Sequence, residues 1–211
     1  MIEIIPSILA KTKEEFASLI AKVEPFTERA HIDVTDGVFT ADKTVFGYEE
    51  LQTLDTKLKL DAHLMVVNPQ EYLPQWFKTK ADRIFIHAEA QGDLKELLLE
   101  IKGQNRKAGI VLNPETPVDT ILEYLPMVDY VQFMTVHPGT YGAPFLADVV
   151  EKILNFHDRY PDIAIGVDGG MTPEIVKLVY GAGAQVIVSG SYIMDSADVQ
   201  KAIANLKNDF T

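Results

Sequence analysis

The sequence predicts a closed (β/α)8 TIM barrel, and three observations carry that prediction. Eight short apolar runs alternate with amphipathic stretches along 211 residues, the number of strand-then-helix units such a barrel needs. The first turn, PSILAKT, has no glycine, whereas a doubly wound open sheet would show a Gly-rich turn there and ordinarily fewer strands. No linker, low-complexity segment or composition break divides the chain, so residues 1–211 read as a single domain with a substantial core.

Taken in order, the strands are IEII (2–5), HIDV (31–34), LKLDAHLM (58–65), RIFIHAE (83–89), AGIVLN (108–113), YVQFMTV (130–136), IAIGVDG (163–169) and VIVSG (186–190). Thr12 followed by Glu15 has the spacing of a capping box and opens a helix running toward Pro25. Pro69, Pro144 and Pro173 stand where first-turn prolines are tolerated. The segments 93–104, 145–158, 172–181 and 198–208 carry Leu, Ile, Val and Phe at helical spacing. Trp76, in the helix after Pro69, reads as packing, and His157 as a surface residue.

Charge and composition exclude several classes of function. The net charge is −12, from 19 basic and 31 acidic residues, which disfavours nucleic-acid binding. No stretch approaches the roughly 18 apolar residues of a membrane helix, and no basic region followed by an apolar one opens the chain. Zero cysteines remove disulfides, thiolate catalysis and Cys-ligated zinc. A cytoplasmic location is the expectation.

Strand alternation then sorts the polar residues. With apolar partners turned toward the helices, the second strand sends His31 and Asp33 inward, and the third sends Asp61, His63 and Met65. The sixth sends Gln132 and Met134 inward, and the seventh Gly166 and Asp168. The C-terminal mouth of a barrel is where active sites are built. Buried imidazoles and carboxylates there need partners or a metal. His31, Asp33, His63 and Asp168 suit one divalent ion such as zinc, iron(II), manganese or cobalt. Two ordinary His–Asp hydrogen-bonded pairs are the alternative on the same residues. Asp61 is placed behind an imidazole rather than on the ion, and His87 and Glu89 form a supporting shell. Asp36 with Gly37 reads as a turn.

Small-residue turns form a second cluster. HPGTYGA (137–143), DGG (168–170) and SGS (189–191) follow the last three strands. Backbone N–H groups in such turns make an anion cradle at the usual phosphate site of a barrel, although each glycine alone reads as a turn residue.

These residues together are familiar. PSIL (6–9), HIDVTDG (31–37), DAHLMVVNPQEY (61–72), HAEA (87–90), VLNPETP (111–117), MTVHPG (134–139), VDGG (167–170) and VSGSYI (188–193) resemble, in order, the ribulose-phosphate 3-epimerase family. The resemblance spans essentially the whole chain. It implies that His31, Asp33, His63 and Asp168 bind one divalent metal and that Asp33 and Asp168 are the catalytic acid and base. It further implies that Ser7, His63, Met65 and Met134 meet the substrate, and that Gly139, Gly142, Gly169, Gly170, Gly190 and Ser191 of the late turns hold its phosphate. The implied reaction is C3 epimerisation of a ketose phosphate, best matched by D-ribulose 5-phosphate to D-xylulose 5-phosphate in the pentose phosphate pathway. No organic cofactor is implied, and a homo-oligomer is.

The chain departs from the family pattern in several places, among them Thr40, Ala41 and Asp42, where the family usually reads VPN. Thr35 stands where methionine is usual, Gln132 where an apolar residue is usual, and Tyr141 replaces a glycine of the phosphate loop. Tyr141 is expected to point away from the anion, because a side chain there occupies space that glycine leaves open. A related ketose phosphate, such as a six-carbon one, and a non-catalytic sugar-phosphate-binding barrel are the rival functions. The decarboxylase and hexulose-phosphate synthase group shares the fold but carries an Asp-x-Lys-x-x-Asp strand, which is absent here.

Overall fold

A computed structural model describes residues 2–139 and 142–207 of the chain. Eight parallel strands close on themselves in sequence order: β1 (Glu3–Ile8), β2 (Arg29–Thr35), β3 (Lys59–Met65), β4 (Ala81–His87), β5 (Lys107–Leu112), β6 (Tyr130–Met134), β7 (Ala164–Asp168) and β8 (Val186–Ser189). The predicted barrel is therefore the observed one. Among the described residues, seven α-helices lie outside or at the mouth: α1 (Lys13–Val23), α2 (Leu73–Trp76), α3 (Leu94–Gly103), α4 (Asp148–Arg159), α5 (Pro173–Gly181), α6 (Ser191–Met194) and α7 (Val199–Lys207).

Alternation along each strand makes two cores. Outward residues such as Ile32, Val34, Ala62, Leu64, Ile84 and Ile86 pack against Phe16, Ile20, Trp76 and Leu98 of the helix layer. Ile5, Phe85, Val111, Tyr130, Met134 and Val186 fill the barrel itself. Trp76 is fully buried, as packing requires. Below them the barrel floor is ionic. Arg29 Nη1 binds Asp61 at 2.6 Å and Asp82 at 2.7 Å, while Arg83 Nη1 binds Glu3 at 3.0 Å. Burying arginines there is tolerable because each finds carboxylates.

Local chemistry explains the helix starts. Thr12 accepts from the Glu15 N–H at 3.2 Å, an amide the first helical turn leaves orphaned, and Glu15 reaches back past the cap to accept from the Lys11 N–H at 2.7 Å. Pro173 opens α5 at its first position, with Thr172 as the cap. Pro69 opens a single 3-10 turn, Pro69–Glu71, before α2.

Three expectations are corrected. Pro144 does not open a helix, because α4 begins at Asp148; the Leu146 N–H bonds the Thr135 carbonyl at 2.8 Å and ties this segment to the barrel mouth. The connection after β2 holds only a 3-10 turn, Glu50–Gln52, and that after β5 a 3-10 stretch, Val118–Met127, containing Pro126. Proline cannot donate the hydrogen bond an α-helix would need there. The fourth strand ends at His87, so Glu89 lies in the following turn and reaches back toward the strand.

Candidate active site

Parallel pairing brings the inward residues to one level. The register sets Asp33 beside His63, His31 beside Asp61 and Met134 beside Asp168. His31, Asp33, His63 and Asp168 are all buried, and each offers a ligand atom within 4.8 Å of the others. Nδ1 of His63 stands 2.8 Å from Asp33 Oδ1 and 3.3 Å from Asp168 Oδ2. Nε2 of His31 stands 3.9 Å from each of the same two carboxylate oxygens.

One atom favours a metal site over two His–Asp pairs. Nε2 of His31 is buried and has no hydrogen-bond partner, although it faces two carboxylates. Its other nitrogen, Nδ1, lies 3.3 Å from Asp61 Oδ2. The carboxylate only accepts, so the ring proton sits on Nδ1 and the lone pair of Nε2 points into the four-residue cluster. A buried lone pair with nothing to accept is costly in a self-contained polar pair. It is what a metal ligand presents. The donor set of two imidazoles and two carboxylates also suits a divalent first-row ion.

The two aspartates differ in environment. Burial alone would raise both. For Asp33, the hydrogen bond and charge of His63 and the Ser7 hydroxyl outweigh burial and hold the carboxyl below its ordinary value. For Asp168, burial and the charge of Asp33 prevail and push it up. His63 is driven up to about 9, because its bonds to Asp168 and Asp33 overcome the cost of burial. Gln132 adds a 3.4 Å contact from its amide nitrogen to Asp168 Oδ2, and its own oxygen is buried without a partner.

Above the aspartates opens a pocket lined by Ser7, Met65, Met134, Gly139, Gly142, Gly169, Gly170, Gly190 and Ser191, with Asp33 and Asp168 at its base. All of the substrate-contact candidates except His63 reach this wall. His63 is fully buried beneath it. Leu9, Val136, Pro138 and Ala143 also line it, and nothing polar in the sequence marked them. At Gly169, φ is +110° and an added Cβ would come 2.3 Å from Val136, so the turn after β7 depends on glycine. Tyr141 lies outside the described residues, and so does the expectation about its orientation.

The remaining sequence candidates have partners. Asp36 accepts from the N–H groups of Val38, Phe39 and Val67, which is a turn-building role. Thr35 is buried, its N–H bonds Thr44, and it does not reach the pocket wall. His157 is half-buried rather than at the surface, packed where a Cβ on Gly183 would collide with its ring.

Fold and site together define a class of barrel protein with carboxylates and imidazoles at the base of a mouth rimmed by glycine turns. Residues 3–194 match the model of the ribulose-phosphate 3 epimerase family. The ribulose-phosphate 3-epimerase of Bacillus subtilis is 38% identical over 215 residues, covering 98% of this chain and 99% of the relative. The chloroplastic ribulose-5-phosphate-3-epimerase of Arabidopsis thaliana is 35% identical, covering 96% and 75% respectively. The chain belongs to the ribulose-phosphate 3-epimerase family. Among solved structures it is similar in fold to the 3-keto-L-gulonate-6-phosphate decarboxylase of Vibrio cholerae O1, with a TM-score of 0.73, 16% identity and coverage of 99% and 97%. A 3-hexulose-6-phosphate synthase is comparable, with a TM-score of 0.71, 17% identity and coverage of 98% and 99%. At such identities the likeness concerns the fold alone. No described helix is long and apolar enough to cross a membrane.

Proposed function

We propose that this chain epimerises C3 of a ketose phosphate, interconverting D-ribulose 5-phosphate and D-xylulose 5-phosphate. Family membership supports the reaction class, and one observation supports the mechanism. Two buried carboxylates, Asp33 and Asp168, stand at the base of a single pocket. Inverting a carbon next to a carbonyl means removing its proton on one face and returning one on the other. Two proton-carrying groups flanking that carbon meet the need. One of the two aspartates takes the C3 proton as base, and the other delivers one to the opposite face of the enediolate. In the reverse direction the roles exchange.

His31, Asp33, His63 and Asp168 would hold a divalent ion, which supplies Lewis-acid stabilisation of the negative charge that develops on the substrate oxygens. Met65 and Met134 present soft, proton-free surfaces to the planar carbon framework and exclude water from it. The turns at Gly139, Gly142, Gly169, Gly170, Gly190 and Ser191 face the far side of the pocket, where backbone N–H groups suit a phosphate. A cytoplasmic location and a homo-oligomeric assembly belong to the same proposal, the latter tested by light scattering.

Incubation with D-ribulose 5-phosphate in deuterium oxide tests the function. Incorporation of deuterium at C3, with D-xylulose 5-phosphate formed, is the expected outcome. Exchange only into a six-carbon ketose phosphate would move the substrate assignment, and binding without exchange would make the barrel non-catalytic. Preference for the phosphorylated over the free ketose tests the late turns separately.

A further inference from the structure

We propose that Glu89 determines which nitrogen of His63 is open to a metal ion, acting through His87; the inference rests on the metal reading above. Nε2 of His63 lies 2.9 Å from Nε2 of His87. The ring centroids are 5.1 Å apart and the planes differ by 14°. That separation is close to the N–N distance plus two ring radii, so the imidazoles meet edge to edge. Two facing ring nitrogens form a hydrogen bond only if one carries the proton and the other does not.

Glu89 makes that choice. Its Oε2 lies 3.1 Å from Nδ1 of His87, and an ionised carboxylate only accepts. His87 therefore carries its proton on Nδ1. With that proton on Nδ1, Nε2 of the neutral ring is the acceptor of the pair. His63 must then donate from Nε2. When His63 binds a metal, the proton that leaves is the one on Nδ1, because Nε2–H is committed to His87; the lone pair then falls on Nδ1, the atom 2.8 Å from Asp33 and 3.3 Å from Asp168.

The anchor of this relay is itself held in place. Oε1 of Glu89 accepts from the Asn113 N–H at 2.9 Å and from the Thr116 hydroxyl. Neither Glu89 nor His87 lines the pocket, so both are positioning residues that act through His63.

The fixed orientation makes Glu89→Gln a sharp test. The Asn113 N–H and Thr116 hydroxyl would keep the amide oxygen, leaving the NH2 group facing Nδ1 of His87. The polarity of the relay then reverses: His87 is protonated on Nε2, and His63 on Nδ1. The full chain, labelled with 15N-histidine, is to be read by imidazole NMR and titrated with zinc against a chelator. In the wild type, His87 is expected to be protonated on Nδ1. In Glu89→Gln that proton should move to Nε2, and zinc affinity should fall about 10–100-fold. Glu89→Asp, which keeps the carboxylate, should retain more affinity than the glutamine variant. A wild-type His87 protonated on Nε2 overturns the proposal without any variant, so misfolding of Glu89→Gln leaves it testable. Wild-type zinc binding that Glu89→Gln leaves unchanged overturns the relay alone. A wild type that binds no zinc overturns the metal reading beneath it.

Discussion

Asp61 Oδ2 lies 3.3 Å from Nδ1 of His31, and both side chains are wholly buried. The contact links the ionic floor of the barrel to the reaction site, because Asp61 Oδ1 is simultaneously held by Arg29 at 2.6 Å. A carboxylate tied from below by a guanidinium is a fixed proton acceptor for the imidazole above it. His31 is thereby obliged to turn an unprotonated Nε2 toward Asp33 and Asp168.

Asp61→Asn should therefore damage metal binding without touching a ligand. The amide oxygen would stay with Arg29, and the NH2 group would face Nδ1 of His31, moving the imidazole proton to Nε2. Metal affinity should fall about 10–100-fold. Leaving Arg29 short of one buried charge partner should also lower stability, by about 3–5 kcal/mol if the site does not relax. Unchanged zinc affinity in a folded variant would remove Asp61 from this role.

Asp33→Asn and Asp168→Asn should each cost about 10²–10⁴-fold in turnover through loss of acid–base function, with any loss of metal added to that. Solvent deuterium exchange at C3 separates the two residues by face. Each variant should block proton transfer on one side of the carbon. Turnover close to wild type in either variant, with metal bound, would exclude that aspartate from the proton path.

Gly109→Ala tests the barrel interior. A Cβ at Gly109 would lie 2.2 Å from Cδ1 of Phe85, whose ring packs 5.3 Å from that of His31. The phenyl ring must move or the strands must separate, at a cost of about 1–3 kcal/mol. Urea unfolding should show a lower midpoint with an unchanged slope. A variant as stable as wild type would mean that Phe85 has room to shift.

Acid should weaken the floor of the barrel. Burial would raise the Asp82 carboxyl, but the hydrogen bond and charge of Arg29 outweigh it and hold it below its ordinary value. A carboxylate with a lowered folded pKa contributes stability that is present above its unfolded value, about 3.9, and lost as pH falls through the folded one. Wild type should thus be more stable than Asp82→Asn at pH 7, and the gap should close below about pH 4. Because Asp82 is 42% exposed at its side chain, the gap at neutral pH should be modest and salt-dependent. A gap that persists or widens in acid would contradict this assignment.

Much of the site was legible because strand periodicity is a local property. In HIDV and LDAHLM, alternation alone turns His31, Asp33 and His63 to one side, and the isoleucine, valine, alanine and leucine between them demand the other. The count of strand and helix units then closes the sheet, and closure places those faces inside a barrel whose mouth gathers the late glycine turns. Those conclusions need only spacing and the preference of apolar side chains for the interior.

Which nitrogen of each histidine faces the cluster was decided by the tertiary structure alone. That depends on Asp61 contacting the ring of His31 and on His87 contacting that of His63, across strands set side by side by register. The same holds for Pro144, whose sequence position suits a helix start while a long-range bond from Leu146 to Thr135 ties its segment to the barrel mouth. It holds for Gly109 too, a glycine within a strand that is explained only by the Phe85 ring from the neighbouring strand filling its space. Periodicity is written along the chain, but hydrogen-bond direction and packing volume are properties of residue pairs far apart in it, and only the closed barrel brings those pairs together.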